Sequence, residues 1–304
     1  MYFAKRIAFA VPLLLLISLL AFLLVHAAPG GPFDRERSPA SPEIEKQLQA
    51  KYHLDEPFWK QYLRYLGDLA HGDLGPSLKY RNHSVNDIIA EALPVSLLLG
   101  TLAFGFAMGV GLPLGFFTAM RRGRWQEYAG SFAALLMVCI PGLVLAPLLA
   151  VVFAIHWRLL PVALWESPLH AILPTIALGL FFSGKIARLM REGMLNTMPS
   201  EFITAARAKG MTETSLMLRH AFRIAVLPVV SYSGPLLADL LTGSFIIENI
   251  FQIPGIGAFF VNSYANRDYT MQIGLVLLYA VLLIGLNLLV DFAYAFLDPR
   301  VKYE

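Results

Sequence analysis

The sequence predicts an all-α membrane protein with six transmembrane helices, both termini cytoplasmic, and a small helical domain on the outer face after the first span. Three observations carry that prediction. The first is composition: of 304 residues, 57% are hydrophobic and only 15% charged, with a mean hydropathy of +0.61, whereas soluble domains are about a quarter charged. The second is a series of apolar runs. Hydrocarbon about 30 Å thick needs roughly 20 apolar helical residues. Stretches free of Asp, Glu, Lys and Arg cover 7–28, 92–120, 128–157, 167–184 and 269–290, and a sixth, 224–247, is interrupted only by Asp239. Pro12, Gly109, Pro113 and Pro141 lie inside these runs, and membrane helices tolerate both residue types. The third is the placement of positive charge, which concentrates in cytoplasmic links. Lys5 and Arg6 precede the first span, and Arg121, Arg122 and Arg124 crowd the link between the second and third. Lys185, Arg188, Arg191, Arg207, Lys209, Arg219 and Arg223 fall between the fourth and fifth, and Arg300 and Lys302 follow the sixth. The alternate short links carry only Arg158 and Arg267.

The first run follows "KR" and precedes "VHA", as a cleavable signal peptide would. Its uncharged core exceeds the roughly 7–15 residues of such a peptide, and further spans follow, so it reads as an anchor. Residues 1–29 are thus the N-terminus and first span, 30–91 the outer helical domain, and 92–304 the remaining transmembrane core. The outer domain opens on a Pro/Gly-rich exit, "APGGPFDRERSPASP". Ser41 before Pro42 and Glu43 suits a helix start, and Gly72 a helix stop. Phe58, Trp59, Tyr62, Leu63, Leu66 and Leu69 recur at helical spacing and predict a compact cap rather than a tail.

Several chemistries are disfavoured. A net charge of +3, without a long basic run, gives no argument for a nucleic-acid partner. One cysteine, Cys139, excludes an intrachain disulfide framework and a thiolate cluster; its apolar run predicts a buried, inert thiol. The seven histidines contain no H-x-x-x-H pair, and His26, His156, His170 and His220 sit near span ends without a common partner. "GLFFSGKI" (179–186) is one substitution from a phosphate-binding loop, with Ile186 where a hydroxyl should hold Mg²⁺. No strand precedes it, and it falls at the inner end of a span, so the match is a coincidence. Lys185 there is expected to snorkel toward the headgroups. No cofactor is expected in this chain.

Between the fourth and fifth spans the cytoplasmic segment 193–223 contains "MPSEFITAARAKGMTETSLMLRHAF". Ser200 can cap a short helix with Glu201 in its first turn, and Gly210 can end it. Thr212 and Glu213 offer a second start. Ala205, Ala206 and Ala208 permit close approach to another surface, Phe202 and Ile203 give an apolar edge, and Arg207 and Lys209 keep the rim basic. On physics alone, a helix lying on anionic lipid is an equal reading.

The stretch resembles the "EAA" cytoplasmic signature of permease subunits of ATP-binding-cassette importers, with Glu201, Ala205, Ala206 and Gly210 on matching positions. "HGDLGPSLKYRNHSVNDII" (71–89), "RHAFRIAVLPVVSYSGP" (219–235), "GSFIIENIFQIPGIGAFFVNSYANRDY" (243–269) and "DFAYAFLDPRV" (291–301) resemble the peptide/nickel branch of that family, and nearly the whole chain is covered. Oligopeptide permeases of the B type fit best; dipeptide, nickel and glutathione importers share most of these motifs. The resemblance implies a bacterial inner-membrane, multi-pass subunit of the type I importer fold. It also implies a second homologous permease subunit, two cytoplasmic ATPases that alone bind ATP, a periplasmic peptide-binding protein, and surrounding membrane lipid. Glu201, Phe202, Ala205, Ala206, Arg207, Lys209 and Gly210 would form the ATPase-coupling helix, where a bulky Gly210 or Ala206 should uncouple transport.

An intramembrane acid is a functional candidate because its burial is costly. Asp239 is expected either to face the translocation path, near a peptide's amino terminus, or to pair within the bundle. Asp291, with Asp298 and Arg300 close behind, reads as structural. The outer link 248–268 contains "IPGIG", a glycine-permitted reversal. Its Phe251, Phe259, Phe260 and Tyr264 suit the interface, as a short interfacial helix or as a contact for a delivering protein. A secondary transporter would need an inverted repeat, which the sequence lacks, and a membrane-embedded enzyme would need convergent catalytic groups.

Overall fold

The structure is a computed structural model that describes residues 2–27, 47, 49–80, 82–241 and 245–297, with the side chains of all but 2–7, 245 and 290–297. The expected helix start at Ser41, the Pro/Gly-rich exit, and the tail charges Asp298, Arg300 and Lys302 lie outside these residues. So does the side chain of Asp291.

Every element described is helical, apart from one isolated bridge between Pro76 and Ser84. Helix α1 covers Tyr2–Ala27, α2 Phe58–Ala70, α3 Val85–Met120, α4 Trp125–Cys139 and α5 Gly142–Leu149, the last continuing as a wider π-helical turn, Ala150–His156. After a short turn at Pro168–Ala171 come α6, Ile172–Thr197, and α7, Glu201–Ala208. A composite α8 covers 213–225 with a π-helical middle, Leu216–Ala221. Then follow α9 Leu227–Leu241, α10 Phe245–Ile250, α11 Ile256–Asn266 and α12 Tyr269–Leu297. Among the described residues, five helical stretches are long and apolar enough to cross a membrane, and the α4–α5 pair makes a sixth if counted as one.

The third apolar run, with Pro141 inside it, is thus a broken helix. Its halves meet at 98°, because Pro141 offers no N–H and its ring disfavours a helical conformation at the preceding residue. Ile140 is accordingly extended, with φ −82° and ψ 114°. Pro12, by contrast, is absorbed within α1. The fourth span is also longer than its uncharged run, since α6 carries Lys185, Arg188 and Arg191 on to Thr197.

The chain divides into two compact units. The first comprises 1–94 and 255–282. In it α12 is a shared wall: Tyr269, Ile273 and Leu277 face one cluster with Phe22, Val25 and Tyr65, while Met271 and Leu275 face another with Val85, Ile88 and Ile256. Helix α2 docks onto α1 through Phe22, whose ring lies 5.1 Å from Phe58 and 5.3 Å from Tyr62 between centroids. His26 Nε2 is 3.2 Å from Gln61 Oε1. Trp59 and Leu63 point outward instead of into the cap. Gly72 ends the segment with φ +79°. Phe251, expected at the interface, is a core residue of the second unit.

The second unit comprises 95–254 with the chain end. Along α3 the residues Leu99, Ala103, Ala107, Gly111, Gly115 and Ala119 recur every four positions, a stripe of mostly small side chains. Such stripes let membrane helices approach closely. An added Cβ on Gly111 would lie 2.7 Å from the Ser183 carbonyl of α6, and one on Gly179 would lie 2.8 Å from the Ala103 carbonyl. Gly184 packs likewise on Ala134 of α4. "GLFFSGKI" therefore lies in the middle of the most enclosed helix of this unit, with Gly179, Ser183 and Gly184 buried as packing positions. The Lys185 amine stands 4.4 Å from the Phe181 ring centroid, held by a cation–π contact rather than reaching past the end of its helix.

Candidate functional site

The cytoplasmic segment folds as a helix, a turn and a second helix. Ser200 is extended (ψ 153°) and starts α7, but its hydroxyl donates backward to the Thr197 carbonyl at 2.6 Å and not to the α7 backbone. Glu201 sits in the first turn, where the helix dipole favours a carboxylate. Gly210 closes the turn with φ +85°, a left-handed conformation that costs glycine nothing. Its N–H donates to the Arg207 carbonyl at 2.9 Å. Thr212 is extended and opens α8, where the Leu216 N–H donates back to its carbonyl at 2.9 Å.

At helical spacing, Glu201, Phe202, Ala205, Ala208 and Lys209 share one face, and all five are exposed. Ile203 projects oppositely and is fully buried in the second unit's core, which also takes in Ala221 and Ala225 of α8. Ala206 is half-buried on the flank. One apolar side chain thus anchors a helix whose outer face is small, flat and edged by charge. The sequence offered no sign of the second anchor. Arg207 Nε donates to Glu213 Oε1 at 2.6 Å, and a terminal guanidinium nitrogen donates to Oε2 at 3.2 Å. This two-pronged pair clips α7 to the start of α8. The guanidinium holds the Glu213 carboxyl below the usual glutamate range.

Asp239 is exposed on α9 and lines a cavity of about 510 Å³. Facing it are Phe181 and Phe182 of α6, Pro141 and Gly142 at the α4–α5 bend, and Ile247 of α10. The bend and the "GLFF" stretch thus meet at one chamber, which is apolar and aromatic apart from a single carboxylate. The α7 residues expected to couple and Asp239 belong to separate sites.

Further polar anchors escaped the sequence reading. Asp268, almost fully buried, starts α12 and accepts from the Ser77 hydroxyl and the backbone N–H groups of Leu78, Lys79 and Met271 at 3.1–3.2 Å, while the Thr270 hydroxyl beside it donates to the Pro76 carbonyl at 2.5 Å. It ties the "GDLGPSLKY" loop to the start of α12. Glu127 pairs with Arg191 and accepts the Gly123 N–H at 2.5 Å. Ser96 donates to the buried Glu248 at 2.9 Å. An aspartate directly before an apolar run is a helix-cap signal that could have flagged Asp268; the other pairs join residues far apart in sequence, where spacing is silent. Cys139, expected to be buried, is exposed at the C-terminal end of α4, immediately before the bend.

An apolar helical bundle, with a charged protrusion at one end and a chamber open between its helices, defines the membrane-spanning subunit of a transporter. Residues 111–303 match the family described as the binding-protein-dependent transport system inner membrane component, and the chain belongs to that family. It is 42% identical over 302 residues to the oligopeptide transport system permease protein OppB of Haemophilus influenzae, covering 98% of each chain. It is also 42% identical to OppB of Escherichia coli K12, over 99% of each chain, and to the dipeptide transport system permease protein DppB of Bacillus subtilis, over 99% of this chain and 97% of that protein. A crystal structure of the MetNI methionine ABC transporter, inward facing, superposes with a TM-score of 0.56 at 18% identity, covering 69% of this chain and 96% of that one. An amino acid ABC transporter gives a TM-score of 0.51 at 20% identity, covering 68% and 92%. The fold is that of type I importer permeases. The chain is a multi-pass permease subunit of the bacterial inner membrane, not an enzyme, and its family implies an assembly of permease pair, ATPase and binding protein.

Proposed function

We propose that this chain forms one half of an oligopeptide translocation path, beside a second homologous permease subunit. Two cytoplasmic ATPases would drive it, and a periplasmic peptide-binding protein would supply it. The observation that carries the reading is the outward face of α7: Glu201, Phe202, Ala205 and Lys209 stand exposed while Ile203 and the Arg207–Glu213 pair hold the helix rigid. A flat, pinned helix can seat in a partner's cleft and pass rigid-body closure to α6 and α8. Ala205→Trp fills that face without touching the anchors. In the assembled importer it should leave expression and membrane insertion unchanged and lower uptake by roughly tenfold or more, an effect of about 1.4 kcal/mol; normal uptake would reject the coupling assignment. Asp239, a carboxylate on the wall of an aromatic chamber, would attract the ammonium terminus of a passing peptide. Asp239→Asn should slow uptake of peptides with free amino termini more than that of N-acetylated ones. Equal slowing of both, or none, removes Asp239 from the path. A dipeptide substrate is the second reading, favoured by the equal identity to DppB of Bacillus subtilis, and competition by peptides of graded length separates the two.

A further inference from the structure

A second cavity, of about 470 Å³, opens where α3, α4 and α6 meet, beside the basic 121–124 link. Its walls are mixed in character. Apolar side chains such as Leu114, Ala134 and Leu135 share the lining with the donors Ser131, Arg188 and Arg191. Two of these donors are unsatisfied: the Ser131 hydroxyl and Arg191 Nε are both buried without a hydrogen-bond partner. An unmet buried donor costs about 1–3 kcal/mol, so a small turn of either side chain toward the cavity is favoured when an acceptor enters it. Arg191 spends its terminal nitrogen on Glu127, whereas Arg188 is exposed and Glu192 is the only acid on the cavity wall.

The outer surface of α4 indicates what reaches this cavity. Trp125 and Tyr128 stand exposed on the turn next to Arg121, Arg122 and Arg124, and Phe132 and Leu135 continue the exposed face toward the bend. Aromatic residues beside a basic link mark the headgroup level of the cytoplasmic leaflet, and the apolar face beyond them suits acyl chains. A phosphodiester supplies several acceptor oxygens and one negative charge, matching the Ser131 hydroxyl, the remaining edge of Arg191 and the Arg188 guanidinium.

We propose that this cavity binds the phosphate headgroup of one anionic phospholipid from the inner leaflet, with an acyl chain along α4. The lipid would wedge α4 against α6 one helical stretch before the coupling segment, so its occupancy would brace the helix that leads to α7. The test is native mass spectrometry on the full chain, purified in mild detergent and exchanged through nanodiscs of phosphatidylglycerol and phosphatidylcholine. The wild-type chain should retain a single phosphatidylglycerol in preference to phosphatidylcholine. Arg188→Gln combined with Ser131→Ala should lose that retention about tenfold, with an unchanged thermal transition showing that the fold survives. Added inorganic phosphate should not displace the lipid. Equal retention in the variant, loss to inorganic phosphate alone, or a photo-crosslinker at Leu135 that captures a protein subunit in native membranes instead of lipid would each overturn the proposal.

Discussion

Single glycines decide how closely these helices meet, and they do so unequally. Gly184 faces the α4 backbone so tightly that an added Cβ would sit 2.5 Å from the Ala134 carbonyl and 2.8 Å from a Val138 methyl. Nothing there can rotate away, because the nearest atom is backbone. Gly105 on α3 has nothing within 4 Å of the same imaginary carbon. Gly184→Leu should therefore destabilise the chain by about 1–3 kcal/mol or more through overpacking. Gly105→Ala should stabilise it by roughly 0.5–1 kcal/mol through helix entropy. Thermal unfolding in detergent checks both, and equal effects would mean that helix contact is looser than drawn. Asp268 shows the same logic for a polar residue. Its four donors, the Ser77 hydroxyl and the N–H groups of Leu78, Lys79 and Met271, match the four lone-pair sites of a carboxylate, whereas asparagine would present a donor where acceptors are required.

Among the elements, α7 and α8 are joined by an exposed ion pair, so their union depends on pH and salt. Glu213 is depressed below the ordinary glutamate range because the Arg207 guanidinium donates to its charged form, and Arg207 is raised by the same pair. A depressed carboxylate contributes stability that is present above its unfolded value and lost as pH falls through its folded value. The hairpin should thus hold from neutrality down to the ordinary glutamate range, then loosen on further acidification. High salt should also loosen it. A spin-label pair on Ala208 and Ser215 would read this as a broadened distance distribution in acid, absent from Glu213→Gln, which should be broad at all pH values. Most elements were legible in the sequence, because a run of uncharged residues is set directly by hydrocarbon thickness. Their ends were less so. Helix α6 overruns its apolar run to Thr197, with Arg191 paired to Glu127 and Arg188 exposed. Pro141 broke its span while Pro12 did not break α1, and composition does not distinguish the two.

For the molecule as a whole, the short helix α7 was legible because a glycine stop and small-residue spacing are local signals, although the expected Ser200 side-chain cap is not made. The chamber around Asp239 was legible only as one acid, since its other walls come from α5, α6 and α10. The bend at Pro141 carries the remaining consequence, through the parity of crossings. If α4 and α5 together traverse the bilayer, the link 157–167 is external and α7 is cytoplasmic, as the basic residues around α7 require. If the 98° turn instead returns the chain to its starting side, α6 crosses the other way and α7 faces outward, where no ATPase could reach it. Single cysteines in a Cys139→Ser background separate these cases: Arg124→Cys, Arg158→Cys and Lys209→Cys, probed with a membrane-impermeant maleimide on intact and permeabilised cells. A full crossing labels position 158 in intact cells, and positions 124 and 209 only after permeabilisation. Labelling of 209 in intact cells, with 158 protected, would make the pair re-entrant and remove the physical basis for coupling through α7.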